Sequence, residues 1–247
     1  MQACQLKVEL LSHTPNPEET VALGARICYA PIDLEALQAR VASSDQKKFI
    51  AGVIQSGHLS VLEHASFTFG IEGVSRTLLA EATRHRIASF SVQSQRYVSM
   101  EAGFDYVIPP AIAALGEAAV AEYESQMATM HGWYADWQRR LAEAAGGSGE
   151  KANQDARFVL PGACATRMIL TMNARELLHF FSLRCCRRAQ WEIRAMADAM
   201  LKLCCQIAPA IFAQAGPPCI RGACTEGKRS CGEPEAVRAH IKQVKAG

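Results

Sequence analysis

The sequence predicts an α+β fold: a single domain over residues 1–247, with a mostly antiparallel sheet wrapped by helices, some of them long. Three observations predict it. Apolar and polar residues alternate in separated segments, "QLKVELLS", "SFTFGIEG" and "ACATRMILTM", as half-buried strands require. Segments with helix-start signals stand between them, and residues 110–145 are alanine-rich and periodic. Strands and helices mix without a regular βαβ rhythm, which favours α+β over a doubly wound sheet. At 247 residues, 49% of them hydrophobic, the chain is long enough to bury a sizeable core.

The elements follow in order. Leu6, Val8 and Leu10 alternate with Lys7 and Glu9 in the first strand. "NPEETVALGARICYA" opens a helix with Asn16 as N-cap, Pro17 in the first turn and acidic residues behind it. "DQKKFIAGVIQSG" places Phe49, Ile50, Val53 and Ile54 on one helical face and ends at Gly57. Phe67, Phe69 and Ile71 mark the next strand. Ser75 then caps a helix through "RTLLAEATRHR", which puts Arg84, His85 and Arg86 at its cation-favouring C-terminal end. Strand character is expected to return near "RYVSM" and "DYVIPP". "GGSG" at 146–149 closes the alanine-rich stretch. A short helix near "ANQDARFVL" and a strand at "ACATRMILTM" follow. Asn173 and Glu176 then give a capping-box-like start to "ARELLHFFSLR", and a last helix runs to Pro209.

Composition excludes several classes. A formal charge of +2 does not suit wholesale binding to nucleic acid or to an anionic membrane. The longest apolar runs are far short of a membrane span, and no export signal is read at the start. Ten cysteines without such a signal indicate reduced thiols and a cytoplasmic location. Cys185-Cys186 and Cys204-Cys205 read as small core residues. Cys219, Cys224 and Cys231 in the tail, 219–247, invite a metal reading, but they lack the paired CxxC arrangement and no fourth ligand is evident. No metal is assigned.

The chemistry-bearing residues centre on "RHRIASFSVQSQRYV", residues 84–98. Neither GxGxxG after a strand nor GxxxxGK[ST] is present, so arginine is the phosphate reader available. The candidates are Arg84, Arg86, Arg96, Arg157, Arg175 and Arg184. Arg175 and Arg184 are nine residues apart and cannot share one narrow helix face, so they serve different ligands. His85, between two arginines, is expected to stay neutral and to hydrogen-bond. His58 and His64 in "GHLSVLEH" are six apart, the wrong spacing for a metal helix. Ser94 lacks a glycine-flanked nucleophile elbow, which argues against a hydrolase.

At these residues the sequence resembles the flavin-dependent thymidylate synthases. Arg84-His85-Arg86, seven residues and Ser94 match that family's signature. "GHLSVLEHASFTF" and "ARFVLPGACATRMILTMNARELLHFFSLRCCRRAQWEIR" resemble its flanking regions in the right order. The resemblance implies conversion of dUMP to dTMP with methylenetetrahydrofolate as one-carbon donor, reduced FAD as hydride donor and NADPH as reductant. It implies FAD contacts at His58, Ser60, Glu63, Arg84, His85, Arg86, Ile87, Asn173, Arg175, His179 and Leu183. It implies dUMP contacts at Glu81, Arg84, Ser94, Gln95, Arg96, Arg157 and Arg184. Arg184, Ser94 and His58 are its catalytic positions, Ser94 as a phosphate binder rather than a nucleophile. It further implies a homotetramer whose active sites draw on several subunits.

Glu81 stands where relatives commonly carry Gln. An ionised carboxylate only accepts hydrogen bonds and opposes developing oxyanion charge. Ser91 and His179 likewise replace Asn. Two other readings are a non-catalytic nucleotide- or RNA-binding protein and a cysteine-dependent pyrimidine enzyme using Cys164. The near-neutral charge and absent RRM or KH pattern count against the RNA version, and a strand-borne thiol reads as structural.

Overall fold

A computed structural model describes residues 1–147 and 149–247; Ser148 of the Gly-Ser run lies outside the described residues. The architecture is α+β, with a four-stranded antiparallel sheet in the order β1-β2-β4-β3. β1 is Lys7–His13, β2 Ser66–Ser75, β3 Ser89–Val92 and β4 Ala165–Asn173. Contacts divide the chain into two compact units. Unit 1 holds residues 1–7, 71–84 and 91–168, and unit 2 holds 8–70, 85–90 and 169–247.

In unit 2, α1 is Pro17–Arg26, α2 Leu34–Ala42 and α3 Lys47–Gln55. Asn16 precedes α1 as expected but does not cap it. Its φ of 44° is left-handed, which asparagine tolerates, and its amide turns to Glu19 at 3.3 Å. Gly57 ends the α3 segment at φ 79°, a conformation open to glycine because it has no Cβ. The unit's core is aromatic: Phe67 packs on Phe212 at 5.5 Å between centroids, and Phe181 on Phe212 at 5.9 Å. α8, Ala174–Arg184, and α9, Trp191–Ile207, supply Phe180, Met196, Met200 and Leu201 to this fully buried set. Cys185 and Cys204 are buried small residues as expected, whereas Cys186 and Cys205 are only partly buried. α11, Pro234–Ala246, ends the chain.

In unit 1, α4 spans Arg76–Ala82 and is capped by Ser75, whose hydroxyl accepts from Leu78 N at 3.0 Å. α6, Glu117–Ala144, is 28 residues long and buries Met127, Tyr134 and Gln138. α7 follows at Glu150–Ala156. Met100, Phe104, Tyr106, Met127, Tyr134, Ala156 and Cys164 form this unit's core.

Two expectations fail. The Arg84–Arg86 triplet does not close α4; the helix stops at Ala82, where Thr83 returns both its N–H and its hydroxyl to Leu79 O. Leaving the helix lets His85 be buried, at 5% exposure, against α8. "RYVSM" and "DYVIPP" are not strands either; the strand comes earlier, at Ser89–Val92. The Ser94 hydroxyl accepts from Arg96 N at 3.1 Å and Tyr97 N at 3.4 Å, winding the chain into a turn. Tyr106 keeps only isolated bridges to Ala3 and Cys164. Among the described residues no helix is long and apolar enough to cross a membrane.

Candidate active site

Within unit 2, α8 builds the best-defined polar cluster. Asn173 caps it, accepting from Glu176 N at 2.9 Å. The Glu176 side chain does not serve the cap: Oε1 lies 3.1 Å from His85 Nδ1. On the other side of the same ring, Arg184 Nε donates to His85 Nε2 at 3.0 Å. An arginine cannot accept, so Nε2 must carry the lone pair and Nδ1 the proton, which it donates to Glu176. The contacts therefore fix one tautomer of a neutral imidazole. Burial holds the His85 pKa below the usual imidazole value, and Arg184 lowers it further, while Glu176 opposes both. Phe180 meets the ring edge-on at 4.8 Å and His179 at 5.9 Å.

His85, Glu176 and His179 also bring ligand atoms within 4.8 Å of one another, close enough for a metal. Both nitrogens of His85 are already engaged by Glu176 and Arg184, so this trio reads as a hydrogen-bonded relay.

The other flavin candidates are distributed over unit 2. Glu63 and Arg175 pair at 2.5 Å on the surface, where an exposed pair contributes at most about 1 kcal/mol. Arg86, Ile87, His179 and Leu183 are exposed. His58 and Ser60 line a separate concavity of about 470 Å³, together with Arg26, Cys28, Tyr29 and Phe49. Arg26 stacks over the Phe49 ring at 3.8 Å, and its buried Nε has no partner.

The nucleotide candidates other than Arg184 belong to unit 1. Ser94, Gln95 and Arg96 follow β3 directly, all half-buried. Their loop is held from behind: Asn153 Nδ2 donates to Arg96 O at 3.1 Å, and Asn153 in turn accepts from the buried Tyr134 hydroxyl at 3.4 Å. Arg76 Nη2 donates to Gln93 O at 3.0 Å. Arg96 pairs with Glu150 on α7, and its buried Nε has no partner. Arg157 returns Nε to Gln154 O at 3.1 Å, closing its own helix end. Glu81 is half-buried in the last turn of α4, and Arg84 is exposed just beyond it. Gln95 Nε2 donates to the buried Cys164 Sγ at 3.5 Å. Burial pushes that thiol up to about 11, which removes it as a nucleophile near neutral pH.

Glu176, Asn153, Glu150 and Arg26 are the residues sequence reasoning missed. Glu176 carried a signal, an acid three residues after a cap, but it reads equally as helix capping.

Comparison with known proteins bears on this arrangement. The family model described as "Thymidylate synthase complementing protein" matches residues 9–210. The flavin-dependent thymidylate synthase of Geobacter sulfurreducens is 49% identical over 240 residues, covering 97% of this chain and 99% of its own. That of Nitratidesulfovibrio vulgaris is 50% identical over 239 residues, covering 94% and 96%. Among solved structures, the UMP/dUMP methylase PolB of Streptomyces cacaoi, crystallised with 5-Br dUMP, superposes with a TM-score of 0.68. It covers 86% of this chain and 95% of its own at 23% identity, a likeness of fold. With a family match across most of its length and near-half identity to curated members end to end, the chain belongs to the flavin-dependent thymidylate synthase family.

Proposed function

We propose that this protein methylates dUMP to dTMP, with methylenetetrahydrofolate as carbon donor, reduced FAD as hydride donor and NADPH as the source of electrons. The observation that carries the reading is the Glu176–His85–Arg184 relay built on the Arg84-His85-Arg86 motif. Family membership and the nucleotide complex of the PolB methylase support a pyrimidine nucleotide as substrate.

The residues present fit a flavin and a nucleotide. His58 and Ser60 edge a concavity with an unpartnered arginine nitrogen. Arg96 carries another such nitrogen beside an acid that an incoming phosphate can replace. FAD, when bound, supplies hydride; the protein supplies position and charge.

On this reading Ser94, Gln95, Arg96 and Arg157 hold the phosphate, with Glu81 and Arg84 towards the nucleotide. His58, Ser60, Glu63, Arg84, Arg86, Ile87, Asn173, Arg175, His179 and Leu183 hold the flavin with His85. Attack on methylene by C5 of uracil builds negative charge on the ring carbonyls. Arg184 stabilises that charge, and its guanidinium is oriented in advance because His85 Nε2 holds its Nε. The neutral tautomer is essential to this: a protonated His85 would point a second N–H at Arg184. A homotetramer with shared sites, in the cytoplasm, completes the proposal.

The test is the visible spectrum of purified protein after FAD addition. The reading expects bound yellow flavin that bleaches anaerobically with NADPH and reoxidises, yielding dTMP, when dUMP and methylenetetrahydrofolate are added. A colourless protein that never retains flavin would overturn it.

A further inference from the structure

The tail folds so as to supply the fourth ligand that the sequence spacing lacked. Cys219 sits in a short 3₁₀ turn, Pro218–Ile220. Cys224 follows with four residues between them, and Cys231 with six more. This segment is tied back to the residues after α8. Arg188 Nη1 donates to Arg229 O at 2.5 Å and pairs with Glu226 at 3.4 Å, while Arg187 pairs with Glu233. Arg238 on α11 holds the loop from the other side, donating to Cys219 O at 2.9 Å and Gly222 O at 3.1 Å. Cys186 directly precedes the two anchoring arginines, so these ties bring it to the three tail cysteines. The electrostatics agree. Burial raises the Cys219 thiol, and Cys186, Cys224 and Cys231 each add to the rise.

We propose that Cys186, Cys219, Cys224 and Cys231 form a structural zinc site, a closed Cys₄ centre that fastens the C-terminal tail to the end of α8. The chemistry suits the ion. Four sulfur ligands without a carboxylate or water select a soft, tetrahedral centre. A four-residue spacer between the first pair lies within the usual range for such sites. Binding converts four thiols to thiolates and releases four protons, leaving a centre of net charge −2. Arg187, Arg188, Arg221, Lys228 and Arg229 supply cations on the same segments to offset it. Zn–S bonds of ~2.3 Å require sulfurs about 3.8 Å apart. Among the described residues no three of these sulfurs lie within 4.8 Å of one another, so binding draws them together. Gly227 and Gly232, with φ of 52° and 77°, are the turns around which the half-exposed Cys224 and exposed Cys231 move inward. This site is independent of flavin and of turnover, so its failure and failure of the proposed reaction are separable.

The test begins with the full-length protein, purified under reducing conditions and without chelator, and its metal content by elemental mass spectrometry. About one zinc per chain is expected, as for one four-coordinate site. Cys219→Ser and Cys231→Ser should each lose most of it, and Cys28→Ser, remote in sequence, should keep it. To guard against misfolded variants, the wild-type protein is also reconstituted with Co²⁺ alone. A sulfur-to-cobalt charge-transfer band with strong tetrahedral d–d absorption is expected, together with four fewer thiols open to a disulfide reagent. A cobalt spectrum lacking the sulfur band would overturn the proposal and place any metal at nitrogen and oxygen ligands such as His85, Glu176 and His179. So would wild-type protein with all ten thiols reactive after Zn²⁺ addition.

Discussion

Glu176→Gln tests the relay with little change in shape. The amide oxygen can still accept from His85 Nδ1 across 3.1 Å, so what is lost is the charge. Hydrogen bonds to charged partners contribute ~1.5–3 kcal/mol against ~0.5–1.5 for neutral ones, a loss of about 1–1.5 kcal/mol. If that weakening passes through the ring to Arg184, kcat falls about tenfold, since each 1.36 kcal/mol is a factor of ten. The KM for dUMP should stay near the wild-type value, because the phosphate residues are untouched. The pH profile adds a readout that loss of packing would not produce. His85 is held below the usual ~6.5 by burial and Arg184, with Glu176 opposing. Its neutral form is therefore favoured by folding. That contribution is complete above pH ~6.5 and is lost as pH falls from there toward the lowered value. Removing the Glu176 charge lowers the value further, so the acid limb of kcat should move to lower pH while its plateau drops. The assay is anaerobic single-turnover flavin reoxidation with dTMP quantified, alongside a melting curve. A variant with wild-type kcat and an unmoved acid limb, while flavin and melting temperature are retained, refutes the relay.

Arg96→Ala should weaken dUMP binding strongly in calorimetric titration while leaving FAD bound; unchanged affinity removes Arg96 from the phosphate site. Glu150→Gln should act in the opposite direction. The exposed Arg96–Glu150 pair contributes ~0.2–1 kcal/mol, so releasing Arg96 tightens dUMP by up to about fivefold, and weaker binding would show that Glu150 serves the ligand directly. Cys164→Ala should keep turnover within about twofold, because a thiol pushed up to about 11 is protonated at working pH; complete loss with folding intact would favour the cysteine mechanism. Gly73→Ala should cost about 3 kcal/mol or more in urea titration, because φ is 69° and a Cβ would lie 2.0 Å from Gln5 O. A melting curve like the wild type would mean that the strand shifts at little cost.

Much of this protein is legible in one dimension. Alternation placed β1, β2 and β4 because a strand half-buried in a sheet repeats every two residues. The caps at Ser75 and Asn173 were readable because a helix start needs a local acceptor within three residues. The Arg84-His85-Arg86 motif and its flanking segments pointed to the family, and the matches agree.

Tertiary structure decided the rest, because it concerned groups distant in sequence competing for one another. Glu176 had two partners within reach of its chemistry, a neighbouring backbone N–H and an imidazole ninety-one residues away. The buried imidazole won because a buried donor left unpaired costs more than an open cap. The same burial drew Arg84, His85 and Arg86 out of the helix that their spacing suggested. Cys186 could not be joined to the tail cysteines by counting, since it lies thirty-three residues before Cys219. Composition and spacing alone determined the family and the kinds of residue at its site. Only the fold determined which of them touch, because hydrogen-bond geometry and burial act across space and leave no periodic trace in the chain.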